Sequence, residues 1–206
     1  MEMTEQDHYL TVDRPATAEF KDRGSKFIAY VYPVETVEAF KQYLQALKKE
    51  HPKAVHHCFA YRIGTDGNNF RSSDDGEPSG SAGKPILNEL KSRALTQTCV
   101  LIVRYFGGKK LGIPGLIHAY RAAAIDCLNN SGTKEVVLYD DYEISCHMDH
   151  MPVVLHELNK SGARVIDSEF AENCNFKIEI PRTQHAAFTK TLQNLWQATA
   201  TYIGMH

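Results

Sequence analysis

"QTCVLIVRYFGGKKLGIPGLIHAYRAAA", residues 97–124, holds the decisive pattern of the chain. Its first ten residues are the most hydrophobic segment of the protein and predict a central strand. Gly107 and Gly108 end that run, and "GGKKLGIPG" (107–115) forms a connection too rich in glycine for regular structure. From Leu116 the pattern turns to "LIHAYRAAAIDCLNN", an alanine-rich helix that stops near Gly132. A buried strand running through a glycine turn into a long helix predicts a sheet with helices packed on it.

Working toward the N-terminus, "ATAEFKD" (16–22) and "SKFIAYVYPV" (25–34) flank "RG" and predict a β-hairpin. "TVEAFKQYLQALKKEH" (36–51) places Val37, Phe40, Leu44 and Leu47 on one helical face, with Thr36 as cap and Pro52 as stop. "HHCFAYRIG" (56–64) predicts a strand and "TDGNN" a turn, while Lys84 to Arg93 predicts a short helix with Pro85 in its first turn. Beyond Gly132 the pattern restarts. "EVVLYDDYEISCH" (135–147), a helix over 149–162, "ARVIDSEF", "CNFKIEIP", a helix over 183–196 and "ATATYIG" (198–204) give β-α-β-β-α-β, the ferredoxin-like order. The expected domains are therefore 1–132 and 133–206.

The charge distribution agrees with two units. Residues 1–130 hold 17 Lys/Arg against 15 Asp/Glu, whereas residues 131–206 hold 6 against 10. Five cysteines without CxxC spacing describe small buried side chains rather than a disulfide framework, and so a reducing compartment. "MEMTEQDHYL" lacks the basic and apolar parts of a secretory signal. The longest fully apolar run, "CVLIV" (99–103), is far short of the ~20 residues that span a bilayer. A cytoplasmic protein is expected, with no membrane association and no DNA specificity.

Against this ordinary background, "SSDDGEPSGSAGKP" (72–85) stands out, with three acids, three glycines and two prolines in fourteen residues. Its acids are adjacent and its glycine early, which does not fit an EF-hand loop. Counting back from Gly83-Lys84, Pro78 sits where a nucleotide P-loop needs its first glycine, and Pro85 sits where Ser or Thr is needed. Two readings stay open: backbone N–H groups of "SGSAG" forming an anion-binding nest, or a plain polar loop. His56 and His57 beside Asp74, Asp75 and Glu77 suggest a metal cluster, but neighbouring strand residues face opposite ways, so one ion rarely uses both. "CHMDH" (146–150) matches no zinc spacing, Cys58 reads as packed, and the loop serines lack a nucleophile elbow. No catalytic residue, metal or cofactor emerges. In 104–121, Arg104, Lys109, Lys110 and Arg121 lie among His118, Tyr105, Phe106 and Tyr120. They form either a basic aromatic patch suited to phosphate or RNA, or a tight connection with solvated lysines.

Taken together, "SDDGEPSGSAGKPIL" and "VRYFGGKKLG…GL…AY" closely resemble one family, IMPACT, in its bacterial YigZ-like branch. "SKFIA" and "HHCFAYRIG" resemble family segments at corresponding positions, so the likeness spans roughly 16–130 directly. The resemblance implies an α+β protein. Its N-terminal domain would have the left-handed βαβ fold of the second domain of the ribosomal S-five protein, shared with translation GTPases and small-molecule kinases. Its βαββαβ tail would resemble the last domain of elongation factor G. Eukaryotic relatives regulate translation by competing for the activator of an initiation-factor kinase, and ribosome or nucleic-acid binding is the usual proposal for bacterial ones. The matching residues, and so the implied binding residues, are His57, Asp74, Asp75, Gly76, Glu77, Pro78, Gly80, Gly83, Lys84, Arg104, Tyr105, Gly107, Gly108, Gly112, Gly115 and Leu116, with Lys109 and Lys110 between them. One departure is visible. Family members often carry "GTGGL" where this chain has "GIPGL", so an anion site there loses a donor at Pro114. The implied partners are ribosome, RNA or a translation factor. The rivals are a Mg²⁺-dependent enzyme acting on a phosphorylated small molecule or nucleotide, and a protein-binding adaptor.

Overall fold

A computed structural model describes residues 7–206, so the first six residues of the segment read above for a secretory signal lie outside it. The chain divides into two compact units, residues 9–136 and residues 137–206 with residues 7–8.

The first unit is built on a five-stranded antiparallel sheet in the order β2-β3-β6-β4-β5. β6 (Thr98–Tyr105) occupies the centre, as its hydrophobicity demands, and every residue from Thr98 to Arg104 is buried. β2 (Ala16–Asp22) and β3 (Ser25–Pro33) pair as the expected hairpin. Arg23 and Gly24 both have positive φ (45° and 82°), the signature of the type I′ turn that matches strand twist. α1 (Val37–Glu50), capped by Thr36 Oγ1 accepting from the Ala39 N–H at 3.1 Å, crosses to β4 (His56–Ile63), and both β3 and β4 run antiparallel to β6. Strand alternation divides the core in two. Phe59, Tyr61, Cys99, Leu101 and Val103 pack against Phe40 and Leu47 of α1. Cys58, Ala60, Val100 and Ile102 pack against α2 (Gly83–Ser92) and α3 (Gly112–Ser131), where Ile86, Leu90, Ala119, Tyr120 and Ala123 are buried.

Four elements differ from the sequence-based expectation, the first being β1 (His8–Val12), a strand with no expected counterpart. β5 (Asn69–Ser73) is an edge strand whose polar composition hid it. α3 begins at Gly112, so "GIPG" is the first helical turn rather than a connection. Pro114 fits there because N–H groups of a first turn have no intrahelical acceptor to lose. The expected single strand over 135–147 is two strands, β7 (Thr133–Val137), paired with β1 (His8–Val12), and β8 (Tyr139–His147).

The second unit runs β8, α4 (Met151–Lys160), β9 (Arg164–Glu169), β10 (Asn173–Pro181), α5 (His185–Asn194), β11 (Ala198–Met205), with antiparallel sheet order β11-β8-β10-β9. That order is the ferredoxin-like arrangement. Val154 and Leu158 of α4 and Phe188 of α5 pack on Ile144, Phe176 and Ile178 of the sheet. The fold class is α+β in both units, as expected. Cys58, Cys99, Cys127, Cys146 and Cys174 are all free and buried. Among the described residues, no helix is long and apolar enough to cross a membrane.

Candidate functional site

The loop after β5 and the turn after β6 emerge at the same end of the first sheet, where His56 of β4 pairs with Arg104 of β6 and Lys26 of β3 with Tyr105. The acidic loop is an ordered structure held by its own carboxylates. Asp74 to Glu77 form a turn closed by the Glu77 N–H donating to the Asp74 carbonyl at 2.9 Å. Asp75 and Gly76 both have positive φ (43° and 89°), which a glycine and an aspartate tolerate better than most residues. The Asp74 carboxylate then accepts backbone N–H groups from Gly80 (2.8 Å), Ala82 (3.0 Å) and Gly83 (2.8 Å). Burial opposes ionisation of Asp74. The N–H donors of Gly80, Gly83 and Ala82 outweigh it and hold the carboxyl below its ordinary range. The nest anticipated in "SGSAG" therefore exists, but its anion is Asp74 itself. Gly83 lies so close to β5 that a Cβ there would come within 2.7 Å of the Ser73 nitrogen.

Asp75 faces β4, accepting the His57 backbone N–H at Oδ2 (2.7 Å), while its carbonyl meets His56 Nδ1 at 2.7 Å. Pro78 accepts from Ser81, through its backbone N–H at 3.0 Å and its hydroxyl at 2.6 Å. Glu77 turns inward, its side chain only 3% exposed. Its Oε1 accepts from Arg104 Nη1 at 2.6 Å and from the Tyr120 hydroxyl at 2.8 Å, so one oxygen ties the loop, β6 and α3 together. Arg104 also reaches Ser25 Oγ (3.4 Å), which accepts the Gly107 N–H at 3.2 Å. A Cβ at Gly107 would overlap the Gly24 backbone at 1.9 Å, so this turn requires glycine where it crosses the β2–β3 hairpin. Beneath lies Cys58, 3.3 Å from the Tyr120 hydroxyl. Burial pushes both the Cys58 thiol and the Tyr120 hydroxyl far above their usual ranges, so neither supplies an anionic nucleophile.

The expected site residues do not all meet. Tyr105 and His57 point to the α1 face: the Tyr105 hydroxyl bonds His51 Nδ1 at 2.9 Å, and burial lowers the His57 pKa. Gly80 and Lys84 line a separate cleft of about 460 Å³ with Arg121, whose guanidinium is held by Glu89 at 2.7 Å. His118 packs edge-on against Phe20. The basic aromatic patch expected over 104–121 is thus divided among several faces. Gly108 and Gly112 adopt positive φ (84° and 72°), Lys109 and Lys110 are exposed, and Gly115 packs against Leu111 in the first turn of α3.

What does come together is a cleft of about 410 Å³ between the two loops and the start of α3. Glu77, Pro78, Arg104, Lys110, Gly112 and Leu116 line it, joined by His56 and Phe106. Ser25 supports it from behind without any motif to announce it, and His56 could be told from His57 only by knowing which sheet face carries α2 and α3. Each loop carboxylate already has protein partners. Among the described residues, the grouping that could hold an ion lies instead in the second unit, at Asp141, Glu179 and His206. There the Arg164 guanidinium already pairs with Glu179.

Comparison with known proteins covers both units. Residues 23–128 match the Impact N-terminal domain, and residues 144–199 match a domain of unknown function, DUF1949. The chain is 35% identical over 187 residues to the IMPACT family member YvyE of Bacillus subtilis (strain 168), covering 91% of this chain and 86% of that protein. It is 30% identical over 186 residues to the IMPACT family member YigZ of Escherichia coli (strain K12), covering 89% and 91%. A crystal structure of a hypothetical protein superposes with a TM-score of 0.68 at 28% identity, covering 97% of this chain and 98% of that one. The loop and turn that build the cleft both fall inside the matched N-terminal domain, and with relatives aligned along nearly its whole length, the chain belongs to the IMPACT family.

Proposed function

We propose that the protein is a non-catalytic, cytoplasmic binding protein of the translation machinery, and that the acidic loop and the lysine turn form one surface that contacts ribosomal or other RNA. One observation carries the reading. Glu77 clamps the loop to Arg104 and Tyr120, so the loop reaches the lysine turn as a rigid body. The exposed lysines 109 and 110 lie on that turn, and neither has an ion-pair partner among the described residues. Exposed cations beside a braced loop suit phosphate backbone, whose affinity is set by the charges it neutralises. Lys84, on its own cleft, adds charge at a second position. Arg104 supports the surface from within rather than reaching out of it.

The Mg²⁺-dependent enzyme reading needs loop carboxylates free to hold the ion. Asp74 is engaged by three backbone donors, Asp75 by His57, and Glu77 by Arg104 and Tyr120. That occupancy favours the binder. Co-sedimentation with purified ribosomes at low salt tests it. The wild type is expected in the pellet, and Lys109→Glu/Lys110→Glu is expected largely in the supernatant. Wild-type protein that stays in the supernatant at low salt, and binds no free RNA, sinks the reading. Pull-downs that survive nuclease treatment would move the assignment to a protein-binding adaptor.

A further inference from the structure

The cleft between the loops offers more than surface charge. α3 begins with no side-chain cap, so the N–H groups of Leu111, Gly112 and Ile113 have no intrahelical acceptor, and all three residues line the cleft. A helix start of this kind favours an anion, and α3 is 20 residues long. The departure at Pro114 removes a fourth donor but leaves these three. A second, independent feature points the same way. Arg104 also lines the cleft with its side chain 93% buried, yet its Nε has no hydrogen-bond partner. Such an orphaned N–H leaves a partial positive charge beside the cleft that no protein acceptor meets. Lys110 adds an exposed cation on the same rim.

The remaining wall has a different chemistry. Phe106 is half-exposed (49%) and lies among Pro78, Ile113 and Leu116, so the cleft presents an aromatic face in an apolar setting. The Arg104 guanidinium carbon lies 5.7 Å from the centre of that ring. Below it are two acceptors. His56 Nδ1 meets the Asp75 carbonyl, an acceptor, so Nδ1 carries the proton of the neutral ring and Nε2 is left as a lone pair. Glu77 Oε2 lies 3.8 Å from that Nε2, too far for a hydrogen bond, while its Oε1 takes both protein donors. Donors for an anion, an aromatic platform and a pair of acceptors thus share one cleft.

We propose that this cleft holds one unpaired nucleotide of an RNA strand. Its phosphodiester sits at the start of α3 beside Lys110. Its base lies on Phe106, with the base N–H groups toward His56 Nε2 and Glu77 Oε2. The formal charge supports a single phosphodiester, because Arg104 is offset by Glu77 and Lys110 remains to match one negative charge. Unpaired bases are the form of RNA that proteins read by stacking and edge contacts, since a duplex hides both. The inference rests on the RNA-binding reading above and narrows it to single strands.

The test is equilibrium binding of three short probes with the same number of phosphates to the full chain: a single-stranded RNA, a blunt RNA duplex of half its length, and a single strand with abasic sugars. The wild type is expected to bind the single strand about tenfold more tightly than the duplex or the abasic strand, the scale of one base–aromatic stack. Phe106→Ala should abolish that advantage while leaving abasic binding unchanged, and Lys110→Ala should weaken all three probes. Equal affinity for the three probes, or a Phe106→Ala variant indistinguishable from wild type on the single strand, overturns the assignment. Should ribosome binding still depend on Lys109 and Lys110, the surface reading survives that result. Wild-type protein that binds no probe and no ribosome defeats both.

Discussion

The acidic loop and the lysine turn leave strands β5 and β6 on either side of β4 at one end of the same sheet, are similarly rich in glycine and charge, and do opposite things with it. In the loop every acid is engaged by the protein itself: Asp74 by three backbone amides, the exposed Asp75 by the β4 backbone, and buried Glu77 by Arg104 and Tyr120. In the turn, Lys109 and Lys110 face solvent, while Gly107 brings the backbone across the hairpin at Gly24 and Gly108 takes a positive φ. The difference lies in what each side chain can reach. A short carboxylate after a tight turn sits among its own loop's N–H donors, whereas a lysine stem carries its charge away from the backbone. Conspicuous acids can therefore be scaffold while unremarkable lysines are the charges left exposed.

The contrast breaks most visibly at Glu77. Removing one partner of a buried ion pair leaves the other charge uncompensated, so Glu77→Ala should cost about 3–5 kcal/mol in chemical denaturation. Replacing both partners, as Glu77→Leu with Arg104→Met, should recover most of that loss. A single substitution costing under about 1 kcal/mol would show that the clamp does not hold the loop. Next comes Asp74→Ala, which orphans three backbone donors and should cost about 2–3 kcal/mol by the same measurement.

The pH dependence of stability sharpens the same point. The Asp74 carboxyl has a folded pKa below its reference value of 3.8, so the unfolded chain binds the extra proton first. Its contribution is present above pH 3.8 and is lost as pH falls through the folded value. Asp74→Asn should flatten the acid limb of a stability–pH curve; an unchanged limb would mean that other carboxylates govern it. The smallest stability effect belongs to the turn. Lys109→Glu/Lys110→Glu should change the unfolding free energy by no more than about 0.5 kcal/mol, because both side chains are exposed.

Much of the architecture was legible because periodicity reports burial. β6, α1, α2 and the βαββαβ order all follow from hydrophobic spacing. β5 was not legible, since Asn69–Ser73 is an exposed edge whose backbone pairing, not its side chains, makes it a strand. The start of α3 was hidden for a related reason: glycine and proline signal a loop, yet a first helical turn has no hydrogen bond for proline to break. For the site, the two motif blocks marked the right loops, but strand alternation decided membership. Arg104 and His56 fall on the α2–α3 face, while their neighbours Tyr105 and His57 fall on the α1 face. The partner of Asp74 was likewise unreadable, because backbone donors carry no sequence signature.

The central claim, that the lysine turn is the contact surface and the acids its scaffold, is tested most directly by the salt dependence of RNA binding. The logarithm of the association constant of wild-type protein should fall linearly with the logarithm of salt concentration. Lys109→Glu/Lys110→Glu should bind more weakly with a distinctly shallower slope, since each lost phosphate contact removes close to one unit from it. A charge-reversed variant with the wild-type slope and affinity would contradict the account.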